Sequence, residues 1–153
     1  MSVHHHRHFH HRRHFHRCQD FERQPAPPTL SAVFTNDYTP AMEYIMSTTT
    51  VTVTLPTTRA DGSALALSAI ASVVLTKAAG SGAAVVVDTV NAPATASIVF
   101  TDTAPDFGQT DTYSATVTDI EGNVSAPGST SINVPASTLA KPSAPTLAAV
   151  FNP

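Results

Sequence analysis

The sequence predicts an all-β fold, a two-sheet antiparallel sandwich, and three observations carry that expectation. Short runs of alternating apolar and polar residues recur from Ser47 onward, which is the period of a strand with one buried face. Clusters of Gly, Pro, Asn and Asp punctuate those runs at short intervals, as turns between strands require. Thr, Ala, Ser, Val and Pro are plentiful while only 12% of residues are charged, a composition suited to strands with polar outer faces and poorly suited to helices.

Taken in order, the first candidate strand is Thr29 to Phe34, entered through the stiff Pro25 to Pro28 segment. Asn36 to Met46 follows, with Tyr38, Met42, Tyr44, Ile45 and Met46 around Pro40. It is too apolar for a free loop, and it is expected to cap the sandwich or face a partner. Ser47 to Leu55 places Val51, Val53 and Leu55 inward before Pro56 stops it, and Arg59 to Gly62 reads as a turn. Leu65 to Lys77 supplies a strand centred on Ile70 to Leu75 and closed by Gly80-Ser81-Gly82. Ala83 to Asp88 with Val90 forms the next, closed by Asn91 to Pro93. Ala96, Ile98 and Phe100 then point inward from the one after it.

The clearest pattern lies in the last third. Tyr113, Ala115 and Val117 alternate with Ser114, Thr116 and Thr118. Asp119, Glu121, Gly122 and Asn123 provide turn chemistry, with Gly122 and Asn123 able to take positive φ. Ile132 and Val134 resume the alternation against Ser131 and Asn133. Six or seven strands at this spacing are what a sandwich needs.

A tyrosine opening a strand, then small and β-branched residues in alternation, then Asp119-x-x-Gly122-Asn123-x-Ser125, resembles the last hairpin of bacterial and phage immunoglobulin-like domains of the fibronectin type III kind. The resemblance spans residues 47–134 and is most specific at its end. It implies a tyrosine corner, with the Tyr113 ring packed inward, its hydroxyl on nearby backbone, and Phe107 as an apolar plug beneath it. Phe107, Tyr113, Asp119, Gly122 and Asn123 are the signature positions. The chain has no Trp, so Leu55 is expected where such domains bury one.

Four parts follow from this reading: a His/Arg-rich arm (residues 1–24), a Pro-rich linker and capping segment (25–46), the immunoglobulin-like sandwich (47–135) and an extended tail (136–153). Charge divides along the same line. Residues 1–23 hold five Arg against Asp20 and Glu22, a net +3 before any His is protonated. Residues 24–153 hold Arg59, Lys77 and Lys141 against nine acids, a net −6. A basic arm is attached to an acidic body.

The arm repeats Arg-His-Phe-His at Arg7 to His10 and at Arg13 to His16. Its Arg7, His8, Phe9, Arg12, Arg13, His14, Phe15 and Arg17 are the candidate anchoring residues. Arginine suits carboxylates on an acidic protein surface, so the arm is expected to dock on other subunits, homo-oligomeric within an assembly. Histidine titrates near pH 6.5, so that grip is expected to strengthen in mild acid. Imidazoles can bind Zn²⁺ or Ni²⁺, but no carboxylate is interleaved to orient the rings, and no metal is expected. Nucleic acid is a weaker match because the arm is short.

The tail repeats an earlier motif. Pro28 to Phe34 recurs as Pro145 to Phe151, with Ser31 replaced by Ala148 as the one change in seven, and Pro25 and Pro142 match at the same offset. Two readings stand: a duplicated linker left from a lost repeat, or a segment whose Leu147, Val150 and Phe151 add a strand to a sheet edge.

The body offers little for chemistry. All eight His lie in the arm, and the single Cys18 lies outside the body. No Gly-x-Ser-x-Gly elbow and no phosphate-binding loop occurs, so no catalytic residue and no cofactor is expected. Asp102, Asp106 and Asp111 are weak candidates for Ca²⁺ against the plainer reading of a solvated acidic loop. No apolar run reaches the roughly eighteen residues of a membrane span, and the N-terminus lacks the apolar core of an export signal. These features lead to the expectation of a non-enzymatic structural subunit in a virion, as capsid or tail decoration or fibre. The resemblance further implies weak carbohydrate binding. The alternatives are a carbohydrate- or protein-binding module of a bacterial surface or secreted protein, and a filament subunit linked by strand addition.

Overall fold

A computed structural model describes residues 23–39 and 44–136. Within them the chain forms seven strands: β1 (Thr29–Thr39), β2 (Tyr44–Thr54), β3 (Ile70–Ala79), β4 (Val85–Asn91), β5 (Ser97–Asp102), β6 (Thr110–Asp119) and β7 (Gly128–Asn133). A single 3₁₀ turn at Leu67–Ala69 leads into β3, and the described residues contain no α-helix. Every strand pair is antiparallel. One sheet has the order β1-β2-β5 and the other the order β4-β3-β6-β7, so the chain crosses between sheets after β2, β4 and β5. The fold is an all-β two-sheet sandwich.

The inward residues follow the period of two that the sequence carries. Val51 and Val53 from β2, with Ile98 and Phe100 from β5, face Val73 and Leu75 from β3 and Tyr113, Ala115 and Val117 from β6. Leu55, Leu65 and Ile70 close one end of this core. Burying each large apolar side chain contributes roughly 1.5–3 kcal/mol, and the β-branched Val and Ile pack well against a pleated surface. Leu55 is buried in the core, as its place in the alternation with Val51 and Val53 led us to expect.

The first hairpin departs from the expected division of the chain. The segment 25–46 is not a linker and cap laid over a sandwich that begins at residue 47. Its two halves lie inside the three-stranded sheet, where β1 and β2 pair continuously from Thr29↔Thr54 to Thr39↔Tyr44. Backbone pairing accounts for this better than side-chain pattern does, since Tyr44, Ile45 and Met46 are consecutive apolar residues that break the alternation.

Smaller departures share one cause, the precedence of turn geometry over pattern at strand ends. Leu65 to Ala69 does not join β3, because the 3₁₀ turn intervenes. Ala96 is exposed, and the inward row of β5 is Ile98, Phe100 and Asp102. At the β6–β7 connection only Gly122 takes positive φ (85°); Asn123 contributes hydrogen bonds instead.

Candidate functional site

Two ionic clusters sit at opposite ends of β6, whose inward row runs Asp111, Tyr113, Ala115, Val117, Asp119. Asp119 lies eight residue steps beyond Asp111, so at roughly 3.3 Å per step the clusters lie about 26 Å apart. Each joins parts of the chain that the backbone ladder does not.

The first cluster ties the sheets together. Lys77 is the last inward residue of β3, and its ammonium donates to the Ala104 carbonyl at 2.6 Å, to Asp102 Oδ2 at 2.9 Å and to Asp106 Oδ2 at 3.0 Å. All three ammonium protons thereby have an acceptor. Asp102, at the end of β5 in the opposite sheet, also accepts the Tyr113 hydroxyl at 2.7 Å and the Ala104 N–H at 2.9 Å. Burial pushes the Asp102 carboxyl up, but the donors Lys77, Tyr113 and Ala104 outweigh it and hold it below the usual carboxylate range. Burial likewise works against the Lys77 charge, while Asp102 and Asp106 more than restore it. The Tyr113 phenol is raised well above its ordinary value, first by burial and then by its bond to Asp102.

Asp111 completes this end less well. It is buried, its Oδ2 accepts the Asp106 N–H at 3.1 Å, and its Oδ1 has no hydrogen-bond partner. Burial pushes its carboxyl up, and the backbone bond and Lys77 only partly oppose that.

The second cluster fixes the entry of the chain. Asp119, 1% exposed, receives the Glu121 and Asn123 N–H groups on Oδ1, and the Asn123 amide and the Arg59 guanidinium on Oδ2. Burial raises its carboxyl, yet Asn123, Arg59 and the backbone donors hold it below the usual range. Arg59 also donates to the Arg23 carbonyl at 2.6 Å, while Ala26 N–H reaches Thr58 O and Ala60 N–H reaches Gln24 O. Arg23, Arg59, Asp61, Ser63 and Glu121 line a shallow open depression of about 300 Å³ here. Its walls are polar and its mouth is wide, so it offers little apolar surface to hold a small molecule.

A third feature is a seam between the sheets on the β1 side. Gly128, the first residue of β7, lies so close to the Pro28 carbonyl that a Cβ there would fall 1.8 Å from the oxygen. Pro25 and Pro28 are both buried, and Leu30 and Ala32 pack against the core. Glycine at 128 is therefore required by contact and not by φ.

The predicted positions are placed as follows. Tyr113 is fully buried, as expected, but its hydroxyl serves a carboxylate and not nearby backbone. Phe107 is no plug, since it is 42% exposed in the β5–β6 loop. The loop turns at Asp106 to Gln109 through a backbone bond, which carries Phe107 outward. Asp119 supplies the turn chemistry expected of it, accepting the Glu121 and Asn123 N–H groups, and it does so while buried. The Asp102–Asp106–Asp111 loop, weighed for Ca²⁺, holds the Lys77 ammonium among its carboxylates; a divalent ion would have to displace a satisfied lysine. Among the described residues no group of three or more His, Cys, Asp or Glu is arranged to hold a metal ion. The arm residues Arg7, His8, Phe9, Arg12, Arg13, His14, Phe15 and Arg17, and the tail residues Leu147, Val150 and Phe151, lie outside the described residues.

Sequence reasoning missed Arg59 and Lys77. A signal for Lys77 was present, because Val73, Leu75 and Lys77 share one parity in a strand, which places the lysine on the buried row. Arg59 carried no such signal. No protein-family model and no curated protein matches the chain.

Proposed function

We propose that the chain is a non-enzymatic structural subunit of a large assembly, a bacteriophage virion, in which a basic arm grips neighbouring subunits and an immunoglobulin-like sandwich is displayed. The observation that carries this reading is the fate of the body's charges. Arg59 and Lys77 are spent on Asp119, Asp102 and Asp106, so they offer little positive charge to the other acids of residues 24–153, whose net charge is −6. Asp61, Asp88 and Glu121 are exposed on it. Such a surface is a ready acceptor for the Arg-rich arm of another copy, and the pairing is self-complementary.

The strand order supports the immunoglobulin-like part of the reading. β2 and β3 lie in opposite sheets, β5 returns to pair with β2, and β6 returns to pair with β3, which are the crossovers of a Greek-key sandwich. Fold alone does not assign function, so placement in a virion rests on the resemblance at Tyr113 to Ser125 together with the charge division.

The test is co-purification. Particles banded on a density gradient from a lysate of the source should contain the chain in stoichiometric amount, and a version lacking residues 1–24 should be lost from that band. Recovery of the full chain only among free proteins at the top of the gradient would contradict the proposal.

A further inference from the structure

The two sheets leave four strands at their edges, and β5 is the unguarded one. β1 and β7 meet at the Gly128 seam, which puts β5 and β4 on the opposite side of the sandwich. β4 carries two features that deter pairing with another chain. Its register against β3 shifts between Leu75 and Thr76, and the charged Asp88 stands opposite the inward Leu75. The Asp88 carboxylate also takes the Thr89 N–H at 2.7 Å. β5 has neither feature. It pairs with β2 without a shift, and its outward residues Ser97, Val99 and Thr101 are uncharged and exposed, Val99 by 64%.

The ladder shows which backbone groups that edge presents. The Leu55 N–H donates to the Ala96 carbonyl at 2.8 Å, so these two form a hydrogen-bonded pair. Such pairs alternate along an antiparallel ladder, so Ile98, Phe100 and Asp102 turn their N–H and C=O groups toward β2. Ser97, Val99 and Thr101 turn theirs to the free edge. Among the described residues only the Thr95 hydroxyl reaches that row, donating to the Ser97 carbonyl at 2.7 Å.

We propose that β5 pairs antiparallel with β5 of a second copy of this chain, about a two-fold axis at Val99. Ser97-Ile98-Val99-Phe100-Thr101 has the same character read in either direction: hydroxyl, large apolar, Val, large apolar, hydroxyl. On that axis Val99 meets its own counterpart, Ser97 meets Thr101, and Ile98 lies across from Phe100 on the core side. Ser97, Val99 and Thr101 then all fall in hydrogen-bonded pairs, so each outward N–H and C=O gains a partner. The Ser97 carbonyl has a second lone pair beside the one facing Thr95. Prolines exclude the neighbouring registers. Centring on Ser97 would set Thr101 against Pro93, and centring on Thr101 would set Ser97 against Pro105; neither proline has an N–H to give.

The contact is isologous, so it closes as a dimer with one continuous six-stranded sheet, β1-β2-β5 joined to its copy. Two bodies of net charge −6 repel over much of their surfaces, and the uncharged row at Val99 adds nothing to that repulsion. One strand edge is small beside the roughly 1,200–2,000 Å² of a stable interface, so pairing belongs to concentrations on the order of millimolar, as inside an assembly. The inference does not depend on the virion reading.

The test uses the full chain with Arg7, Arg12, Arg13 and Arg17 each changed to Ser, in reducing buffer at about pH 8, so that no arginine or charged histidine of residues 1–22 draws copies together. Sedimentation velocity from about 10 μM to about 1 mM should show monomer passing to dimer and nothing larger. Adding Val99→Lys should weaken the dimer about fivefold or more, because like charges then meet on the axis. Val33→Lys is the control: that valine is 62% exposed on β1, the far edge of the same sheet, and its replacement should change nothing. Since Val99 meets only its counterpart, mixing Val99→Lys chains with Val99→Glu chains should restore the dimer. A chain that stays monomeric throughout, a dimer that Val99→Lys leaves intact, or a mixture that associates no better than either variant alone would overturn the proposal.

Discussion

Tyr113 and Asp102 share a proton-donating contact of 2.7 Å that crosses from one sheet to the other, on the same carboxylate oxygen that holds Lys77 at 2.9 Å. One buried oxygen thus receives a phenol and an ammonium, and the two sheets are clipped at that end. Removing either donor leaves a buried carboxylate held by only the other and the Ala104 N–H.

Lys77→Met should therefore be severely destabilising, by about 3 kcal/mol, because Asp102 loses its cation while remaining buried. Tyr113→Phe keeps the ring and the cation, and should cost about 1.5 kcal/mol, the worth of a hydrogen bond to a charged group. Urea denaturation of the two variants measures both, and a smaller loss for Lys77→Met than for Tyr113→Phe would refute the ranking.

Gly128→Ala should open the seam between β1 and β7. The added methyl meets the Pro28 carbonyl, which is backbone and cannot rotate away, so a loss of about 3 kcal/mol is expected. Gly122→Ala is the contrast: open space surrounds it and only its positive φ is strained, so about 1 kcal/mol is expected. Thermal denaturation that ranks the pair in the opposite order would show that the seam is not packed as described.

Acid should weaken the fold. Asp102 and Asp119 have folded-state carboxyls held below the ordinary 3.8, so the stability they confer is present above that value and is lost as pH falls through their folded values. Asp111 works in the opposite sense: its carboxyl is raised, so it favours the fold when protonated and opposes it as pH rises through that range. Asp111→Asn should accordingly raise the Tm at pH 7 and change it little near pH 3. Thermal scans across pH read this directly, and a lower Tm for the variant at pH 7 would mean that the Asp111 charge is stabilising.

The sequence carried the fold well where alternation was clean. β6 reads directly from Tyr113, Ala115 and Val117, and β2 from Val51 and Val53, because a strand with one buried face writes its period into the side chains. It carried the first hairpin poorly, since pairing from Thr39↔Tyr44 onward is decided by backbone hydrogen bonds that leave no side-chain pattern. The ionic clusters were hardest to anticipate. Arg59 and Asp119 are sixty residues apart, and no local rule links them. Asp119 looked like turn chemistry because Gly122 and Asn123 follow it; the same parity that buries Val117 also buries Asp119.

Arm-on-body assembly is tested most directly by sedimentation velocity at low micromolar concentration. The full chain and the chain lacking residues 1–24 are compared at about 0.1 M and about 1 M salt, conditions that shorten the screening length about threefold. The account predicts multimers for the full chain at the lower salt, monomers at the higher salt, and monomers throughout for the shortened chain. Identical distributions for the two chains, or association that salt leaves unchanged, would contradict it.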